Sequence, residues 1–332
     1  MIKKISLPVI ISLIVLCSLN LLMISSLAPQ LFWKQLFAWI IGVILFLVGT
    51  QINPKQIKGQ GIMLLIISCI ILLIPIITGN FVRGSRRWLY IGPLSVQPSE
   101  IVKGPLMLFL STTTMPLLHF IPVGIIMLQP DLGSAITVFI LIIPIILYNK
   151  KLLKLSIIAG VILILASPLA YKYVLKDYQR QRIVHFLKPN SDPLGQGYNL
   201  IQSQISIGSG GFFGKGYRKG TQGQLLFLPE KHSDFIFAAT TEELGLFSVL
   251  LMITSYFMLI KTLLNKAFKT TNNLPLFLFT LGIAFEIWAQ VFINIGMNLG
   301  LLPVTGIPLP FMSVGGNSIM ALLFSLGIIS SA

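Results

Sequence analysis

The sequence predicts an all-α polytopic membrane protein with about ten transmembrane helices and a large extracytoplasmic loop between the seventh and the eighth. Only 10% of the 332 residues are charged and 55% are hydrophobic, whereas roughly a quarter of the residues in a soluble domain are charged. Apolar runs of about twenty residues, enough to cross a bilayer as a helix, recur along the chain. These two observations exclude a soluble globular protein.

The apolar runs divide one membrane domain into three parts. Residues 1–172 hold the first seven predicted helices, residues 173–234 form the large extracytoplasmic loop, and residues 235–332 hold the remaining helices. An even number of spans places both termini on the same side of the membrane. The runs lie near residues 7–28, 34–50, 61–79, 99–114, 116–130, 132–149, 152–172, 235–261, 274–299 and 313–332.

Lysines in the short joints between the runs set the orientation. They are concentrated on every second joint, and the positive-inside rule places those joints and both termini in the cytoplasm. The formal net charge of +15 therefore reflects topology and contact with anionic lipid, and we expect no nucleic-acid partner. The lysines concerned are Lys3, Lys4, Lys55, Lys58, Lys150, Lys151, Lys154, Lys261, Lys266 and Lys269.

The predicted extracytoplasmic loop is basic as well, which suits an anionic ligand at the outer surface. Apolar and polar residues alternate over 198–207, with Gln202 among the polar ones, and this pattern predicts a short amphipathic interfacial helix, with a strand as the alternative. The glycine-rich stretch 208–216 lacks the residue spacing of a P-loop. It is either a flexible loop or, together with Lys215, a cradle of backbone amides for a phosphate.

The chain re-enters the membrane after a polar segment, Leu228–Phe237, that carries Glu230, Lys231, His232 and Asp234. A carboxylate at the threshold of a span is costly to place unless it is used, and Asp234 stands directly before an apolar run. Asp234 is therefore the candidate reactive group. The alternative is that its side chain caps the helix that follows.

Two arginines and a tryptophan lie between the third and fourth runs. Arg86 and Arg87 are predicted to clamp a phosphate, while Trp88 stacks on a sugar ring. The alternative is that the arginines extend to the membrane surface beside an interfacial tryptophan.

Other acids stand at helix starts or inside spans. Glu100 and Lys103, one turn apart, either form an internal ion pair or line a polar cavity. Asp131 either caps the sixth helix or contributes to a site. The acids that fall inside spans are expected to have structural or gating roles first, with substrate contact second. These are Glu242, Glu243 and Glu286.

Counting the spans brings several candidates to one face of the membrane, the outer one. A site there, lined by acids and arginines and bordering lipid, suits an amphiphilic anionic substrate. The residues placed on that face are Trp88, Glu100, Asp131, Glu230, Asp234 and the loop 303–310.

These motifs together resemble the SEDS family of shape, elongation, division and sporulation proteins, and the resemblance runs over nearly the whole chain. Two segments, 220–222 and 306–310, resemble the elongation branch more than the division branch. One departure from the family is the short joint Ser111–Thr114, which predicts short or tilted fourth and fifth helices. The segments that carry the resemblance are 83–88, 97–100, 128–133, 191–198, 207–211, 220–222, 228–237, 242–245 and 303–311.

The resemblance implies a peptidoglycan glycosyltransferase that polymerises lipid II at the outer face of the bacterial cytoplasmic membrane. It would work beside a class B penicillin-binding transpeptidase and other membrane proteins of the elongation complex. The family's essential acid falls on Asp234 and its functional tryptophan on Trp88. Glu100, Lys103 and Asp131 match other polar positions of the family cavity.

The mechanism hypothesised from this resemblance is inverting glycosyl transfer with Asp234 as general base. Basic side chains or a divalent cation, Mg²⁺ or Mn²⁺, would stabilise the leaving pyrophosphate. The alternatives are a lipid II flippase, a division-specific polymerase and a scaffold without chemistry. The candidate substrate-binding residues are Arg86, Arg87, Trp88, Glu100, Lys103, Asp131, Gln202, Lys215, Glu230, Lys231 and His232.

Overall fold

The computed structural model describes residues 6–52, 61–82, 85–91, 94–112, 116–173, 180 and 196–331. The predictions made for the lysines at 3, 4, 55 and 58 lie outside these residues. So does the side chain of Arg86, although its backbone belongs to a strand.

The described chain is mostly helical. Short 3-10 turns, Pro29–Leu31 and Pro116–His119, precede the second and sixth helices. The helices are α1 (Leu7–Leu27), α2 (Phe32–Gly49), α3 (Gly61–Thr78), α4 (Pro98–Ile101), α5 (Lys103–Leu110), α6 (Ile121–Leu128), α7 (Leu132–Tyr148), α8 (Lys150–Tyr173), α9 (Gln196–Gly210), α10 (Thr221–Gln224), α11 (Ile236–Lys269), α12 (Leu274–Leu299) and α13 (Gly316–Ser330).

The helices are those of a multi-pass membrane protein. Within the described residues, 6 helices are long and apolar enough to cross a membrane, and α7 and α13 are shorter apolar helices. Large apolar side chains point outward where a soluble protein would carry charge; Ile164 and Leu165 of α8, for example, are 72% and 73% exposed. The predicted helical class is confirmed, while the count of about ten spans stays a prediction.

Helix α12 lies at the centre of the bundle and packs against α7 and α11. Its side chains Phe279, Ile283 and Ile287 are fully buried. At the periphery, α2 and α13 pack closely because glycines remove the side chains between them. A Cβ on Gly327 would lie 2.2 Å from the carbonyl oxygen of Phe46. This contact fixes the position of α13.

The fourth and fifth predicted spans are short, as the abbreviated joint indicated. The first is divided into α4 and α5, and the second retains only the helix α6 after a 3-10 turn. The helix predicted within 198–207 is also confirmed: it is α9, which extends over Gln196–Gly210, so the strand alternative is excluded.

A small antiparallel sheet, which the sequence reasoning did not foresee, connects α3 to α4. Its strands are β1 (Asn80–Val82), β2 (Ser85–Ile91) and β3 (Leu94–Val96), in the order β1-β2-β3. Asn80 pairs with Trp88, and Leu89 pairs with Val96. Aromatic and β-branched residues favour a strand here, and the sheet fixes the position of Arg87 and Trp88.

The predicted span 235–261 is not one continuous helix. Gly245 has non-helical backbone angles (φ 73°, ψ −173°), so that α11 consists of two helical segments joined by a kink. A Cβ at this position would lie 2.4 Å from the carbonyl oxygen of Phe212 and 2.3 Å from the nitrogen of Gly214. Only glycine combines that φ with so close an approach. The segment after the kink, 246–269, is about 36 Å long at 1.5 Å per residue and is sufficient to cross a bilayer.

Candidate active site

A cavity of about 780 Å³ opens where the sheet, the starts of α4, α7, α11 and α13, and the loop before α13 meet. Helices α7 and α11 run away from it towards ends that carry or adjoin lysines, Lys150 next to α7 and Lys269 in α11. The cavity therefore lies at the face opposite the lysine-rich joints. The candidates that line it are Arg87, Trp88, Glu100, Asp131, Glu230 and Asp234.

The segment that carries Asp234 is held in a tight turn. The carbonyl oxygen of Glu230 accepts the backbone N–H groups of Ser233 at 3.0 Å and Phe235 at 3.2 Å. Two bonds tie the segment to the loop before α13: Val314 N–H donates to the His232 carbonyl at 2.9 Å, and Ser313 Oγ donates to the Ser233 carbonyl at 2.6 Å. The turn places both Glu230 and Asp234 on the cavity wall.

The backbone of Asp234 is also held from α12. Its carbonyl oxygen accepts the side-chain amides of Asn294 at 3.1 Å and Asn298 at 3.0 Å. The N-cap position of α11 is occupied by Phe235, one residue beyond Asp234. The alternative in which Asp234 is the N-cap residue is therefore wrong.

Gly306 brings the opposite wall close to the carboxylate of Asp234. Its φ of +73° is in the left-handed region, and a Cβ there would lie 3.5 Å from Asp234 Oδ2. Asn294 also donates to the carbonyl of Ile307 at 2.9 Å. The same asparagine thus joins the Asp234 turn to the loop that faces it.

Asp131 caps α7, as predicted, and also lies on the cavity wall, while its role towards a substrate stays a prediction. Its Oδ1 accepts the backbone N–H of Ser134 at 3.1 Å, so it caps α7. The same oxygen lies 3.1 Å from Arg87 Nη1. Gln97 Nε2 donates to Oδ2 at 3.4 Å. The side chain therefore links β2, α4 and α7 at the cavity.

Glu100 and Lys103 form the expected ion pair, with N–O distance 2.7 Å, and Glu286 contributes a second carboxylate 2.9 Å from Lys103 Nζ. Glu100 lines the cavity. Lys103 and Glu286 lie behind it and are 2% and 1% exposed. The internal ion pair is therefore present, and only its Glu100 member belongs to the cavity wall. Glu286 is the partner of Lys103 that was not predicted from the sequence.

Besides Lys103, four candidates do not belong to the cavity wall: Gln202, Lys215, Lys231 and His232. Gln202 lies on α9. Lys215 is paired with Glu242, which argues against a phosphate cradle around it. Lys231 Nζ donates to the carbonyl of Gly223; burial lowers the pKa of this amine, and the charge of Glu243 opposes that shift.

Glu242 and Glu243 form a second acidic cluster, away from the cavity wall. Glu242 accepts Lys215 Nζ at 2.7 Å and the backbone N–H groups of Gln222 at 3.0 Å and Gly223 at 3.2 Å. Glu243 accepts Ser26 Oγ at 2.6 Å, near the end of α1. The pair anchors the loop to the bundle, which confirms a structural role first.

Sequence reasoning missed the asparagines of α12 and the loop residues that hold the Asp234 turn. A signal was present for the asparagines: Asn294 and Asn298 are one turn apart in a span, where buried amides need hydrogen-bond partners. Ser313 carried no comparable signal, because its bond to the Ser233 carbonyl joins positions 80 residues apart.

The fold and the cavity define a polytopic membrane protein with a polar, acid- and arginine-lined site at one membrane face. The family model described as cell cycle protein, for FtsW, RodA and SpoVE, matches residues 1–332. The chain belongs to this family, and the SEDS resemblance of its motifs is confirmed.

Two curated relatives illustrate the similarity. The peptidoglycan glycosyltransferase MrdB of Escherichia coli K12 is 39% identical over 306 residues, which are 88% of this chain and 82% of the relative. The probable peptidoglycan glycosyltransferase FtsW of Trichlorobacter lovleyi is 32% identical over 314 residues, 89% of this chain and 81% of that protein.

Solved structures share the fold. A chain of a peptidoglycan synthase complex, in a structure that concerns coordination of polymerization and crosslinking, is similar with a TM-score of 0.82 and 29% identity, covering 97% of this chain and 95% of that one. The rod shape determining protein RodA of Thermus thermophilus is similar with a TM-score of 0.70 and 25% identity, covering 97% and 94%.

Proposed function

We propose that this protein is a peptidoglycan glycosyltransferase that polymerises lipid II into glycan strands during cell elongation and shape maintenance. The single observation that carries the proposal is the cavity, in which six residues selected from the sequence for this chemistry meet. Its volume of about 780 Å³ lies within the range of roughly 300–1,000 Å³ that is usual for ligand pockets. The relatives that bear this activity in their names support the assignment.

Asp234 acts as the general base in the proposed reaction. Its carboxylate takes the proton of a sugar hydroxyl on the acceptor while that oxygen attacks the anomeric carbon of the donor. The bond from the anomeric carbon to the pyrophosphate oxygen breaks, and polyprenyl pyrophosphate leaves with the electron pair. Attack opposite the leaving group inverts the anomeric configuration, and the proton then passes from Asp234 to water.

Arg87 is the best placed of the predicted cations to stabilise the leaving pyrophosphate. It lines the cavity and is paired with Asp131 through Nη1. Its buried Nε has no hydrogen-bond partner among the described residues. A buried donor without a partner is costly, so a pyrophosphate oxygen is a suitable acceptor. Trp88, on the same strand, offers a flat face to a sugar ring.

The described residues do not themselves form a metal site: they include no group of three or more His, Cys, Asp or Glu side chains placed to hold an ion. Two of the cavity acids, Glu100 and Asp131, are already paired with Lys103 and Arg87. The predicted Mg²⁺ or Mn²⁺ ion stays a prediction, and no step is assigned to it.

The proposed setting is the bacterial cytoplasmic membrane, with both termini in the cytoplasm and the cavity at the outer face. Lipid II is the substrate, and a class B penicillin-binding transpeptidase and other elongation-complex proteins are the partners. The similarity to a chain of a peptidoglycan synthase complex supports an assembly of this kind.

The decisive experiment is a polymerisation assay with purified protein and lipid II, comparing wild type with Asp234→Asn, each with and without the transpeptidase. Because a general base contributes about 10²–10⁴ in rate, the variant should lose at least about 99% of its turnover while it melts at the wild-type temperature. Full polymerisation by Asp234→Asn would remove the base from the mechanism. Movement of labelled lipid II between leaflets without glycan product would instead indicate a flippase.

A further inference from the structure

The helix that follows Asp234 is capped by a residue from another helix. Phe235, at the N-cap position of α11, has no side chain that can accept a hydrogen bond. Asn298 Oδ1, on α12, accepts the backbone N–H of Ala238 at 3.3 Å. The first four N–H groups of a helix have no partner within the helix, and Asn298 satisfies one of them from 60 residues away.

The amide group of the same asparagine holds the backbone beside the helix start. Asn298 Nδ2 donates to the Asp234 carbonyl at 3.0 Å and to the Asn294 carbonyl at 2.8 Å. Both asparagines are fully buried. The two polar ends of the Asn298 side chain therefore act on Ala238 and Asp234 together.

We infer that Asn298 is a positioning residue. It takes the capping role that Asp234, just before the helix, would otherwise fill. It thereby keeps the Asp234 carboxylate at the cavity wall. Aspartate is among the strongest N-cap residues, and a negative charge is attracted to the positive end of the helix dipole. Without Asn298, the unsatisfied N–H of Ala238 would draw the carboxylate away from Gly306 and the cavity. The inference rests on the proposed function of Asp234 as base.

The pH dependence of turnover reports where this carboxylate lies. A general base must be ionised, and hydrogen bonds from backbone N–H groups favour the ionised form and lower the pKa. Capping by Asp234 would therefore move the acidic limb of the kcat profile to lower pH. The charged groups that line the cavity with Asp234 are Arg87, Glu100, Asp131 and Glu230, and its own turn also carries Lys231 and His232. The side chains from α12 and the loop before α13 that bond to this turn are uncharged: Asn294, Asn298 and Ser313.

The test compares wild type with Asn298→Ala in the lipid II polymerisation assay, as full profiles of kcat and KM against pH. We expect kcat to fall by roughly 10- to 100-fold, since small displacements of a reacting group have effects of this size. KM for lipid II should stay within about twofold, because Asn298 does not line the cavity, and the acidic limb should move to lower pH. Asn298→Ser serves the same test should the alanine variant not fold.

Asn149→Ala is the matched control. Asn149 Oδ1 accepts the N–H groups of Lys151 at 3.0 Å and Leu152 at 3.3 Å, so it caps α8 at the end remote from the cavity. Its loss should lower the melting temperature but leave kcat and the acidic limb unchanged. If wild type polymerises lipid II and the Asn298 variants behave like this control, the positioning role of Asn298 is overturned and the proposed function stands. A wild-type protein that forms no glycan would instead overturn the proposed function.

Discussion

Two pairs of acids stand close together in the sequence and have opposite surroundings in the structure. Glu230 and Asp234 line an open cavity. Glu242 and Glu243 lie at the end of the short helical segment that begins just after Asp234 and stops at the Gly245 kink. They are 0% and 1% exposed. Their oxygens accept loop N–H groups, a lysine and a serine hydroxyl. Chemical type alone does not distinguish the pairs, and the chain supplies donors to both, as Ser233 Oγ does to Glu230 Oε2 at 3.0 Å. What distinguishes them is position: one pair lines the cavity, and the other is enclosed by the loop.

This difference separates stability from turnover. A carboxylate whose acceptor positions are filled by its own chain contributes to folding, and its loss leaves buried donors unsatisfied. A carboxylate at a cavity wall is also accessible to a ligand, so its loss affects turnover. We therefore expect variants of the enclosed pair to lose stability, whereas Asp234 variants lose turnover.

Gly245→Ala should produce the largest effect, because the kink at this residue is what brings the enclosed pair to the loop. The φ of 73° is unfavourable for alanine, and the new Cβ would lie 2.3 Å from Gly214 N and 2.4 Å from Phe212 O, both backbone atoms. We expect a loss of at least about 3 kcal/mol in stability, measured as the melting temperature of the detergent-purified protein.

The control for this variant is Gly160→Ala in α8. A Cβ at Gly160 meets no atom within 4 Å, and alanine favours a helix interior by about 1 kcal/mol over glycine. The control should melt at or above the wild-type temperature. A Gly245→Ala protein that melts with the control would show that the kink is not required.

Glu242→Gln is expected to have the next largest effect. The amide keeps the size of the side chain but removes the charge that faces Lys215. Its NH2 group must replace either Oε1, which accepts from Lys215 and Gln222, or Oε2, which accepts from Gly223, so at least one donor loses its acceptor. Breaking a buried ion pair on one side costs about 3–5 kcal/mol, and the partial exposure of Lys215 reduces this to about 2–3 kcal/mol. Turnover per folded molecule should remain close to wild type.

Paired measurements of melting temperature and glycan synthesis on Glu242→Gln and Asp234→Asn test the comparison directly. The two substitutions make the same chemical change eight positions apart. If Glu242→Gln abolished turnover at an unchanged melting temperature, the enclosed pair would belong to the active machinery, and the two pairs would not differ in role.

The sequence predicted well whatever depends on helix direction. Successive spans reverse direction, so counting them was sufficient to bring Trp88, Glu100, Asp131 and Asp234 to one face, and the cavity confirms that they meet. Local capping was equally accessible, since Asp131 accepts from Ser134 only three residues away. Both predictions needed only the direction of each span and contacts between residues close in sequence.

The features that escaped prediction depend on contacts between distant residues. The kink at Gly245 exists because Phe212 and Gly214 approach its backbone, and the apolar run around it gives no sign of that contact. The cap of α11 comes from Asn298, 60 residues from Ala238. The strands β1, β2 and β3 are too short, and the sequence between Val82 and Trp88 is too polar, for a periodicity argument to identify them.

Variants of Asp131 should show the smallest effect on stability. They sharpen the comparison because Asp131 both lines the cavity and accepts hydrogen bonds that hold a helix start. Asp131→Asn keeps an oxygen that can accept from Ser134 and removes the charge that faces Arg87, which is 33% exposed. Such a partly exposed pair is worth about 0.2–1 kcal/mol. Asp131→Ala also removes the cap, which adds about 1 kcal/mol. The difference in melting temperature between the two variants therefore isolates the contribution of the cap, and equal melting temperatures would contradict that contribution.

Glycan synthesis should fall to a similar extent in both Asp131 variants, because both leave Arg87 without its anionic partner. Full activity in Asp131→Asn would show that this ion pair serves only the fold.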